Sequence, residues 1–119
     1  MQLLNFFSSS VHVAFAQFWR SQRFATTQAA RDEVVELGRE TIADGFKRID
    51  ALLRGREWFV GDRFSVADTY PLVFFRWGGL IGLDMSRFED WSHHTRRMLN
   101  RPAVQRALST EEIEIAVAS

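Results

Sequence analysis

No cysteine occurs in the 119 residues, which removes disulfides, thiolate metal sites and a cysteine nucleophile together. That absence fits a cytoplasmic protein. Only two prolines are present, too few for a disordered linker, and no repeat or low-complexity tract interrupts the chain. Charge of one sign is lacking too: 15 Lys and Arg face 15 Asp and Glu, so no net field draws the chain to nucleic acid or to an anionic membrane. No apolar run reaches the ~20 residues that a membrane span needs. The opening Met1-Gln2-Leu3-Leu4-Asn5-Phe6-Phe7 lacks the basic leader and small-residue cleavage site of a signal peptide. The expectation is a soluble, cytoplasmic chain with no membrane anchor. Its 119 residues suit one domain, 1–119, burying roughly 60–70% of its unfolded surface.

What is present reads as helix. Leu4, Phe7, Val11, Phe15 and Phe18 recur at spacings of three and four, which predicts a first helix over 1–20. Residues 21–30 lose the period and read as a connection. Val35, Ile42, Phe46, Ile49 and Leu53 then keep helical spacing, giving a second helix over 30–54 that Gly55 ends. Gly38 and Gly45 lie inside it, each at a cost of roughly 1 kcal/mol against Ala, and imply a bend or close approach of a neighbouring backbone. Phe88, Trp91, Thr95 and Met98 mark a shorter helix of about three turns. Pro102 opens a last one, where its missing amide is harmless. The tail from Ser109 is expected to be irregular or weakly helical.

Between these lies the most informative stretch, Phe64-Ser65-Val66-Ala67-Asp68. Ser65 followed three residues later by a carboxylate, ahead of Tyr70, Val73, Phe74, Trp77, Leu80 and Ile81, has the form of a capping box opening a central helix. The Ser65 hydroxyl would accept from the amide of Asp68, and the Asp68 carboxylate from the amide of Ser65. A helix apolar on nearly every side belongs inside a bundle, so its first turn is buried and an unpaired amide there would cost roughly 1–3 kcal/mol. Ser65 and Asp68 therefore read as folding residues. A catalytic carboxylate beside a serine would want a histidine, and none is near in sequence. Pro71, in the second turn, is expected to kink the helix. Five helices with no convincing strand predict an all-α bundle around a buried central helix starting at Ser65.

The run Trp58-Phe59-Val60-Gly61-Asp62-Arg63-Phe64-Ser65-Val66-Ala67-Asp68-Thr69-Tyr70, followed by Phe75-Arg76-Trp77, resembles the helical C-terminal domain of bacterial glutathione transferases, where a G-x-x-F-S-V-A-D segment opens the core helix. The stretches Gly82-Leu83-Asp84 and Arg101-Pro102-Ala103-Val104 are similar to the portion of that domain beyond its core helix. Val11-His12-Val13-Ala14-Phe15 resembles the L-H-K-x-F segment of the cysteine-containing bacterial class; His12 and Phe15 match, and Val13 replaces the lysine.

From the residues alone, His12 sits on a small, polar stripe with Asn5, Ser8 or Ser9, Ala16 and Trp19, which is either a solvated face or the wall of a cleft. Trp77 is either a core aromatic at helical spacing or a cleft residue. His93 and His94 are adjacent, point about 100° apart on a helix and cannot chelate one ion together, so no metal site is expected.

The resemblance implies that His12 faces glutathione, that Phe15 lines the electrophile pocket and that Trp77 reaches toward the ligand cleft. It further implies a two-domain enzyme whose thioredoxin-like domain, in cis or in trans, binds glutathione as co-substrate. The helical half would supply the apolar wall for a hydrophobic electrophile. Alone, the chain is expected to show no transferase turnover; a homodimer is expected, without nucleic acid or membrane. The alternative is a stand-alone interaction or dimerisation module on the same fold.

Overall fold

The structure, a computed structural model, describes residues 2–117. Met1, where the sequence reading starts the first helix, and residues 118–119 of the tail lie outside them. Every regular element among the described residues is helical. The chain divides into two compact units, Met1–Arg48 and Ile49–Ser119.

The first unit opens with an unbroken helical run: α1 (Gln2–Asn5), a π segment (Phe6–Val11) and α2 (His12–Trp19). The π segment is defined by five-residue closure, the amide of His12 donating to the carbonyl of Phe7. The hydroxyls of Ser8 and Ser9 both turn back to the carbonyl of Asn5. After a 3₁₀ turn at Ser21–Arg23 comes α3 (Gln28–Leu52), where the Thr27 hydroxyl accepts from the amide of Ala30 at 3.1 Å and so caps an orphan donor of the first turn.

Phe7, Val11, Ala14, Phe15, Ile42 and Phe46 are buried, with the rings of Phe15 and Phe46 5.7 Å apart. Glycine makes this approach possible. A Cβ on Gly38 would stand 2.8 Å from the carbonyl oxygen of Ala14 and 3.1 Å from the amide of Phe18; one on Gly45 would stand 3.1 Å from Val11. Gly38 thus marks close approach of a neighbouring backbone, and Gly45 close approach of a side chain.

The second unit holds a 3₁₀ turn at Val66–Asp68, then α4 (Thr69–Leu80), a 3₁₀ turn at Met85–Arg87, α5 (Glu89–Leu99) and α6 (Pro102–Thr110). Ser65 is the N-cap of the first of these turns, with backbone angles in the extended region. Because α-geometry begins only at Thr69, Pro71 falls in the first α-helical turn, where amides have no intrahelical acceptor to lose, and α4 runs on to Leu80 as a single α-helix.

The far end of α4 closes in a six-residue turn: Leu83 donates to the carbonyl of Gly78 at 3.0 Å and Gly82, at φ 88°, donates to that of Gly79 at 3.1 Å. Helix α5 takes its cap from far away in sequence, the Asp50 carboxylate accepting from the amide of Trp91 at 2.9 Å. Its buried side carries Trp91, His94, Thr95 and Met98. Helix α6 has no fully buried residue, and the tail after Thr110 forms no regular element as far as residue 117.

Candidate functional site

The polar centre of the second unit is built on Asp68. Its carboxylate accepts from the amide of Ser65 at 2.9 Å, from the amide of Phe59 at 3.1 Å and from Nε2 of His94 at 2.7 Å. The Ser65 hydroxyl accepts from the amide of Ala67 at 3.3 Å, and both halves of the capping box are present. Asp68 and His94 are fully buried. Burial would push the Asp68 carboxyl up, but the hydrogen bonds from His94, Ser65 and Phe59, with the charge attraction of His94, outweigh it and hold the group below its usual range.

The His94 ring lies edge-on to Phe59, at 5.0 Å, and to Trp58, at 6.0 Å. An ionised carboxylate can only accept, so the proton of this bond sits on Nε2. Nδ1 is buried with no hydrogen-bond partner among the described residues. A carboxylate–histidine pair is two thirds of a nucleophilic triad, but here no hydroxyl meets the free imidazole nitrogen and neither side chain is open to a substrate. The geometry locks loop 59–65 onto the start of α4 and onto α5. His94 is the residue that sequence reading misses, because its partner lies 26 positions away.

The other candidates fall in different places. His12 is exposed at the start of α2, directly after the π segment, together with exposed Asn5, Ser8, Ser9 and Trp19. Phe15, one turn on, points inward: it is buried, with its ring 5.2 Å from Trp19 and 5.7 Å from Phe46. Trp77, on α4, is half-buried with its ring 5.8 Å from that of Phe74.

Trp77 also belongs to a stripe that sequence reading places inside the bundle. Pro71, Leu72, Phe74, Phe75 and Gly78 turn inward, yet Val66, Tyr70, Val73 and Leu80, at the same helical spacing as Trp77, are exposed, Val66 to 61% and Leu80 to 62%. Among the described residues no group of three or more His, Asp or Glu could hold a metal ion. No helix there is long and apolar enough to cross a membrane.

Comparison with known proteins gives this arrangement a family. Residues 11–102 match the glutathione S-transferase C-terminal domain. Among curated proteins, glutathione S-transferase GST-4.5 of Xanthomonas campestris pv. campestris is 31% identical over 106 residues, covering 89% of this chain and 52% of that protein. Among solved structures, a glutathione S-transferase from Xylella fastidiosa superposes with a TM-score of 0.82 at 26% identity, covering 95% of this chain and 55% of that one. A sphingomonad glutathione S-transferase, solved in complex with glutathione, superposes at 0.78 with 29% identity, covering 95% and 53%. The chain belongs to the glutathione S-transferase C-terminal domain family. It spans about half the length of the relatives it matches.

Proposed function

We propose that this chain is the helical half of a glutathione transferase and supplies the apolar wall against which a hydrophobic electrophile rests, beside a glutathione site on a thioredoxin-like domain joined in cis or supplied in trans. The observation that carries the reading is the uncovered stripe of Val66, Tyr70, Val73 and Leu80, with Trp77 on it. A helix apolar both inside and out needs a second apolar or ligand surface to cover it. The span of about half a transferase supports the same reading, because it leaves length in the relatives for a second domain. In this proposal His12 faces the glutathione and Trp77 meets the electrophile. Phe15, buried against Phe46, acts from behind by fixing the turn that presents His12. Homodimeric assembly and a cytoplasmic location complete the proposal, and sedimentation of the purified chain checks the former.

The test is reconstitution. Glutathione and a chromogenic aryl halide should react with the isolated chain at the uncatalysed rate only, and faster once a glutathione-binding thioredoxin-like domain is fused ahead of residue 1. In the fused protein Trp77→Ala should raise the KM for the aryl halide and His12→Ala that for glutathione. Turnover by the isolated chain, or a fused protein that binds glutathione and leaves the aryl halide untouched, would overturn the reading.

A further inference from the structure

Beyond the last turn of α4, a hollow of about 630 Å³ opens between that helix, the turn at Met85–Arg87 and the tail. Leu80, Leu83 and Val117 give it apolar walls, and its charged lining is Arg76, Asp84 and Glu114, so two carboxylates stand against one guanidinium. The Asp84 carboxylate accepts from the amide of Ser86 at 3.2 Å and from its hydroxyl at 2.5 Å, both on Oδ1, which leaves Oδ2 for a ligand. Those bonds, with the charge of Arg87, hold the carboxyl below its usual range, so it is ionised at neutral pH. Neither Asp84 nor Glu114 forms an ion pair among the described residues. Helix α4 adds its negative end, and no basic residue occupies its last turn. Leu80 belongs to this hollow and also to the uncovered stripe of α4. Trp77 lies three residues before it, about 4.5 Å along the axis, so a ligand resting on Trp77 can reach in past Leu80.

Resting on the reading of α4 as an electrophile wall, we propose that this hollow is the far end of that site and holds a protonated amine on an apolar arm. The wall then favours hydrophobic electrophiles that carry such an amine. The ammonium would donate to Asp84 and Glu114 in charge-assisted hydrogen bonds, with the arm lying along Leu80, Leu83 and Val117. The volume decides against a bare metal cation, since a hollow of about 630 Å³ falls in the range of small-molecule sites.

The probe is 4-phenylbutylamine, titrated at neutral pH into the ¹⁵N-labelled chain with no glutathione present. The backbone amides of Gly79, Ala116 and Val117 and the indole N–H of Trp77 should move together and saturably, while the indole signals of Trp19 and Trp58 stay. The neutral 4-phenylbutanol and the anionic 4-phenylbutanoate at equal concentration should leave the three amides in place. Glu114→Gln, in the irregular tail, should weaken binding about fivefold, as should Asp84→Asn, which keeps an acceptor for Ser86. Arg76→Gln removes the opposing charge and should tighten binding about as much. Circular dichroism confirms that the variants fold. The proposal is overturned if the alcohol or the carboxylate moves the amides as far, if Trp77 does not move with them, or if Glu114→Gln and Asp84→Asn, both folded, bind as tightly as the unmodified chain. The titration involves neither glutathione nor turnover, so its failure leaves the result of the reconstitution standing, and the reverse.

Discussion

At Gly38 the carbonyl of Ala14 leaves no room for a methyl group; at Asp68, in the other unit, three donors converge on one carboxylate. The first arrangement holds helices together by shape, with small residues letting backbones meet and aromatics filling the flanks. The second holds them by satisfying polar groups that burial has stripped of water. Shape tolerates a small error at a graded cost. A buried charge does not, because removing one partner strands the other.

The comparison can be broken hardest at the charge. Asp68→Ala and His94→Ala should each cost about 3–5 kcal/mol in urea unfolding, since each leaves a fully buried group unpartnered; a loss under 1 kcal/mol would show that the pair contributes little. The same pair sets an acid limit. Asp68 is held below its usual value of 3.8, so the stability it lends is complete above that pH and drains away as the pH falls through the lower folded value. Unfolding free energy measured from neutral pH to acid should show that extra slope in the unmodified chain and lose it in Asp68→Asn.

Next comes the shape-held unit. Gly38→Ala removes a helix penalty of about 1 kcal/mol but drives a methyl into backbone, for a net loss of about 1–2 kcal/mol in thermal melts. Ser65→Ala should cost about 1 kcal/mol, less than either member of the buried pair, because it removes one capping acceptor and strands no charge. Smallest is a gain: at Gly79 a Cβ would meet nothing within 4 Å, so Gly79→Ala should raise stability by about 0.5 kcal/mol. A loss there would mean that α4 uses that open space for packing.

The helical architecture was legible because apolar spacing and end signals agree along the chain. The Ser65–Asp68 pattern marked the 3₁₀ turn that leads into α4, Pro102 the start of α6, and Gly55, with a φ of 71°, the turn that follows α3. What could not be read had its cause elsewhere in the sequence. His94 sits between Trp91, Thr95 and Met98 on a helix face that is otherwise apolar. A titratable side chain on such a face demands a partner, and Asp68 was the one carboxylate argued to be buried, so the signal existed but required pairing residues 26 positions apart. Phe64 shows the same limit: directly before the cap, its ring meets Arg101 at 3.9 Å and Trp58 at 6.1 Å, neither of them on α4. The exposed stripe on α4 was hidden for another reason, since an apolar residue carries no mark of which surface will cover it. The π segment escaped because the apolar spacing of Phe7, Val11 and Phe15 is kept across it.

That segment has a consequence for how such a helix can vary. Closing over five residues instead of four accommodates one residue more than a regular helix of the same height, between Phe6 and Val11. Each residue of a regular helix advances about 100° around the axis. Removing one from a regular helix would therefore swing the preceding turn by more than a quarter-turn, whereas removing one here lets α1 and α2 fuse with Gln2–Asn5 facing as before and Phe15 still seated on Phe46. The first helical run can thus absorb a one-residue change in length, with the aromatic packing behind it untouched.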